Sequence, residues 1–130
     1  MFDEGRWEYL KRNMDLAKKI LLYLESSDED HFMGIIKIDG YEKEEIDYHL
    51  QQMLDVGLLK GELLRGDNKV LSHGVALHWN GHEFLDAIRN EKVVEVAEKE
   101  AEKKGTKLSE LPFEVTKSLL IASAKKLFEL

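Results

Sequence analysis

In MDLAKKILLYLE, residues 14–25, apolar side chains recur at Leu16, Ile20, Leu21 and Leu24, the spacing of one helical face, while Lys18 and Lys19 fall elsewhere on the surface. Asn13 stands where a helix N-cap is wanted. The next apolar run, through Phe32, Met33, Ile35, Ile36 and Ile38 to Gly40, is short and rich in β-branched residues, which predicts an extended segment. Helical spacing returns at Ile46, Leu50, Met53 and Leu54 and stops at Gly57, predicting a helix over 43–56.

After that helix the period changes. Arms near 58–64 and 70–79, joined by RGDNK, predict a two-stranded ribbon whose second arm turns Val75, Leu77 and Trp79 toward the core. Asn80 and Glu83 form the pattern of a capping box for a helix running to about Arg89. Beyond it, Val93, Val94, Ala97 and Ala101 make a thin apolar stripe ending at Gly105, with Glu95/Lys99 and Glu100/Lys104 as supporting pairs four residues apart. A last helix opens at Pro112 and carries a broad apolar set: Val115, Leu119, Leu120, Ala122, Leu127 and Phe128.

Composition narrows the class. The 130 residues suffice for a hydrophobic core, and 43% hydrophobic with 35% charged residues is the balance of a globular protein. With no cysteine there are no disulfides, thiolate metal sites or cysteine nucleophiles. No apolar run has the roughly 18 residues of a membrane span, and the N-terminus is acidic rather than signal-like, so a cytoplasmic location is expected. The net charge of −7 is uneven: residues 1–90 hold 11 Lys and Arg against 18 Asp and Glu, residues 91–130 eight of each.

Three blocks in order, KRNMDLAKKILLYLE, GYEKEEIDYHLQQMLDVGLLKGE and LHWNGHEFLDAIRNEKV, resemble the bacterial and prophage family catalogued as domain of unknown function 2513. The tail LPFEVTKSLLIASAKKLF is similar to that family's last helix, so the resemblance covers roughly residues 10–130, with residues 1–9 ahead of it. It implies a winged-helix-like domain and supplies no catalytic residues.

The residues read the same way. Helix, extended segment, helix and two-stranded wing, with additional C-terminal helices, is an α+β winged-helix-like order. The expected organisation is a core over 1–90 and a helical extension over 91–130 that packs on the core or forms a homodimer. A DNA-reading winged helix places the helix before the ribbon in the major groove. Here that helix turns out Glu44, Glu45, Asp47, Tyr48, Gln51, Gln52 and Asp55, with Lys43 its one basic residue, and carboxylates facing phosphates are repelled. The supporting helix that normally precedes it is replaced by the extended segment. A non-catalytic protein-interaction module, using Glu44, Glu45, Asp47, Tyr48, Gln51 and Asp55 toward an unidentified protein partner, is therefore expected. The alternative is a DNA-binding transcriptional regulator using Arg65 and Lys69 of the wing and Lys11, Arg12, Lys18 and Lys19 of the first helix region.

Candidate chemistry is sparse. His73, His78 and His82 lie close in sequence, but the first two are an odd number of residues apart, and a regular strand would point them to opposite faces. His49 borders the apolar face of its helix. The acidic clusters around Asp28 and Asp30 and around Glu44 lack the ligand spacing of a calcium loop. No phosphate loop or nucleophile elbow occurs, and neither an enzyme, a metal nor a cofactor is expected. Trp79 and Phe84 are expected in the core, and Trp7 to pack on the C-terminal helices or on a partner.

Overall fold

The computed structural model describes residues 12–27, 31–67 and 69–128. Trp7, Tyr9, Lys11, Asp28, Asp30 and Asn68 lie outside the described residues. The first helix, α1, spans Met14–Glu25 and begins where Asn13 Oδ1 accepts the Leu16 N–H at 3.1 Å. Leu16, Ile20, Leu21 and Leu24 are buried, as their spacing predicts. Strand β1 is Phe32–Gly34, α2 is Lys43–Asp55, β2 is Leu59–Gly66 and β3 is Lys69–Leu77. Then come α3 (Trp79–Ile88), α4 (Glu91–Lys103), a 3₁₀ turn (Leu108–Glu110) and α5 (Phe113–Phe128). The class is α+β.

The extended segment does more than lead into α2. β1 pairs antiparallel with β3, so the ribbon becomes a three-stranded antiparallel sheet in the order β1-β3-β2. The alternation of the segment sends Ile36 inward, buried, and leaves Met33 and Ile35 exposed.

The chain forms two compact units, one through Gly81 and the other from His82. In the first, α1 packs on α2 and β3, and α2 on β2. Leu16, Ile20, Leu21, Leu50 and Val75 form its driest part, each contributing about 2 kcal/mol through burial. In the second, α4 packs on α5 and on the 3₁₀ turn. Phe84 and Phe113 meet there at 5.2 Å between ring centroids, and the Thr116 hydroxyl lies 3.4 Å from the carbonyls of both Leu108 and Leu111.

Expectations are corrected at four places. Trp79 is 71% exposed, not in the core. The Leu58 carbonyl takes the His78 N–H at 2.9 Å, the extended backbone stops, and Gly81 N–H closes the first helical turn onto the His78 carbonyl at 2.8 Å. Alternation cannot continue past that point, and Asn80 lies inside the helix instead of capping it. Gly81 is needed here, because a Cβ would drive into the Leu58 carbonyl that crosses above it.

The second correction concerns β3. Lys60 pairs with Ala76 but Glu62 with His73, so β3 carries an extra residue at Gly74, and β1 slips past the same point. This bulge reverses inward and outward: Ser72 and Val75, three residues apart, are both buried. His73 and His78 are consequently both exposed, where a regular strand would turn them to opposite faces. His73 meets Glu62 at 3.3 Å.

Third, Glu100 pairs with Lys103 at 3.2 Å rather than with Lys104, while Glu95 and Lys99 meet at 3.1 Å as expected. Fourth, the buried line of α5 is Thr116, Leu120 and Ser123, and Val115, Ala122 and Phe128 from the expected apolar set are exposed, with Ile121. Small polar Thr and Ser hold the packed stripe, which a count of apolar residues does not register.

Candidate functional site

Helix α2 buries Ile46, His49, Leu50 and Met53 and turns its charged side outward. Ends and spacing explain the geometry of that side. Lys43 in the first turn reaches Asp47, one turn along, at 3.1 Å and continues to the Val70 carbonyl of β3 at 3.3 Å. Gln51 donates to Asp55 at 2.9 Å and accepts from the Arg65 guanidinium of β2 at 3.0 Å. Arg65 and Val70 are register partners, so both bridges from α2 land on the same rung of the ribbon.

The two sets of candidate residues therefore meet at Arg65. Gln51, and Asp55 through it, from the protein-binding set are laced to Arg65 from the DNA-binding set, while Asp47 is held by Lys43. Each such exposed contact is worth ~0–1 kcal/mol, so the lacing orients the ribbon cation more than it stabilises the fold. Glu44 and Asp55 are exposed. Glu45 and Tyr48 are half-buried, Tyr48 lying edge-on to the His49 ring at 5.5 Å between centroids.

His49 ties α2 to the start of α1. Its Nε2 accepts the Asn13 N–H at 2.8 Å and its Nδ1 donates to the Glu45 carbonyl at 2.7 Å, an arrangement that only the neutral imidazole satisfies. Burial pushes its pKa below the usual value, opposed by the Glu45 carbonyl and carboxylate.

On α1, Lys19 is held by Asp15 at 3.1 Å and lies 5.2 Å over the Tyr41 ring, whose hydroxyl donates to Asp15 at 2.7 Å. The Tyr41 hydroxyl, then Lys19, keep the Asp15 carboxyl below the ordinary carboxylate range, and the same contact with Asp15 raises the Tyr41 phenol. Lys18 is half-buried, and Arg12 and Lys69 are exposed. Lys11 lies outside the described residues.

Sequence reasoning missed the outward face of the sheet. Leu64 and Leu71 are register partners, 46% and 38% exposed, with Met33 opposite His73 on the same sheet. The signal was in the ribbon's own alternation, but the bulge at Gly74 had to be known before sides could be assigned. Trp79 at the head of α3 was missed because it was assigned to the strand.

A family model described as "Hypothetical protein (DUF2513)" matches residues 11–107. An "Uncharacterized protein" of Haemophilus influenzae is 37% identical over 87 residues, which cover 65% of this chain and 72% of that one. No solved structure matches the chain.

Proposed function

The chain belongs to the DUF2513 family of hypothetical proteins, and on that footing we propose that it is a winged-helix-like, non-catalytic protein-interaction module whose contact face is the outward side of α2. The element order and the sheet order β1-β3-β2 support the winged-helix reading, with β1 before the helix and β2 and β3 as the wing. Residues 35–42 contain no helix, so the supporting helix of a DNA-reading helix-turn-helix has no counterpart between β1 and α2.

The observation that carries the function is the lacing of α2 to the ribbon. Lys43 is held by Asp47 and the Val70 carbonyl and Arg65 by Gln51, and along α2 the single cation Lys43 stands against Glu44, Glu45, Asp47 and Asp55. A surface of this kind attracts a basic protein segment and repels phosphate. The apolar outward side of the wing, Leu64 and Leu71, is likewise suited to a protein and not to a sugar-phosphate backbone.

The test is affinity capture of partners from the native host. Reversing Glu44, Glu45 and Asp47 to Lys is expected to weaken capture about tenfold or more, ~1.4 kcal/mol, with helical content unchanged. Undiminished capture by the folded variant would exclude this face.

A further inference from the structure

The second unit carries an open groove of about 340 Å³ between α4 and α5, lined by Val96, Lys99, Glu100, Lys103, Lys126 and Leu127. Four of these stand at i, i+3, i+4 and i+7 on α4, one face of a helix, and Lys126 and Leu127 close the groove from α5. Its apolar lining is Val96 and Leu127, both half-buried, and Lys99, Lys103 and Lys126 bring three ammonium groups to it. Among the described residues the one carboxylate in the lining is already occupied: Glu100 meets Lys103 at 3.2 Å and Lys126 at 3.6 Å, and Lys103 first, then Lys126, hold its carboxyl below the ordinary range.

We propose that this groove binds an acidic peptide segment of a partner protein, seating one apolar side chain on Val96 and Leu127 with flanking carboxylates on Lys99 and Lys126. Charge complementarity selects the occupant. In a chain of net charge −7 the groove is a local excess of positive charge among the described residues: three lysines against Glu100 in the lining and Glu95 paired with Lys99 beside it. The side chains of Lys99 and Lys126 are 67% and 69% exposed, and the Lys99–Glu95 pair is exposed on both sides, so an incoming carboxylate exchanges with it at a cost of ~0–1 kcal/mol. A nucleic-acid backbone would use the cations and leave the apolar lining without a partner. An acyl chain would find the lining too open to leave water.

The probe is a short fluorescein-labelled peptide with a Leu-Phe pair between runs of Asp and Glu, titrated against the full chain by anisotropy. Saturable binding is expected, about tenfold weaker at raised salt, with Lys99→Glu plus Lys126→Glu, or with the Leu-Phe pair replaced by Ser-Ser. Lys99→Gln plus Lys126→Gln, a milder change at the same exposed positions, is expected to give an intermediate loss, and circular dichroism checks the fold of both. Equal binding by the charge-reversed protein overturns the proposal. So does displacement of the peptide by a DNA oligonucleotide of matched charge, or salt-sensitive self-association that disappears in Lys99→Glu plus Lys126→Glu. The groove lies outside the unit that carries α2, so the Glu44, Glu45 and Asp47 reversals are expected to leave peptide binding intact. A failure here therefore leaves the α2 reading standing.

Discussion

His49 is the residue whose chemistry is most tightly specified by its neighbours. Protonating Nε2 would set an N–H against the Asn13 N–H it now accepts, and the ring is 3% exposed. Its folded pKa lies below the ordinary 6.5, so the unfolded chain takes up this proton first as pH falls. The stabilising contribution is complete above about pH 6.5 and is lost as pH drops from there through the lower folded value. Urea midpoints are expected to fall between about pH 7.5 and about pH 5.5, and His49→Gln to flatten that slope. Ser123 is the converse case: it is 2% exposed, and its hydroxyl has no hydrogen-bond partner among the described residues. Ser123→Ala removes a desolvated polar group without opening a cavity and is expected to stabilise the protein by about 1 kcal/mol, read as a rise in Tm. The burial of His49 was legible from its place three residues after Ile46; its bond to Asn13, 36 residues away, was not.

Among the elements, the helices and the two arms of the ribbon carried their own signals, and the third strand and the bulge did not. Asn13 and the spacing of Leu16, Ile20, Leu21 and Leu24 are local facts, and α1 begins and buries accordingly. Asn90, whose side chain accepts the N–H groups of both Lys92 and Val93, is an equally local cap for α4, and Asn90→Ala is expected to cost about 1 kcal/mol in a denaturation curve. The bulge depends instead on two strands at once. Gly61 has φ of +108°, and a Cβ there would lie 2.5 Å from the Gly74 carbonyl oxygen, so backbone from β3 occupies the space a side chain needs. Gly61→Ala is expected to destabilise the first unit by about 1–3 kcal/mol, checked by the same curve. A glycine inside a strand-like run was visible in sequence; the strand pressed against it was not.

For the molecule as a whole, charge is the property that separates the two functional readings. With −7 overall and Arg65 and Lys19 engaged within the protein, mixed-sequence duplex DNA is expected to show no saturable, salt-dependent binding in an anisotropy titration. Binding that is lost in Arg65→Ala with Lys69→Ala, together with its salt slope, would favour the regulator instead. No helix among the described residues is long and apolar enough to cross a membrane.

The order of elements, the cap at Asn13, the helix stop at Gly57, the α+β class and the family resemblance were all determined by sequence, because each rests on residues within a few positions of one another or on residue pattern alone. Tertiary structure alone decided the rest. It placed β1 on β3, inserted the bulge that reverses the faces of the ribbon, turned Trp79 outward, and brought Arg65 onto Gln51. In every one of these cases the deciding partner lies on another element, and a one-dimensional period records how a residue alternates without recording what it alternates against.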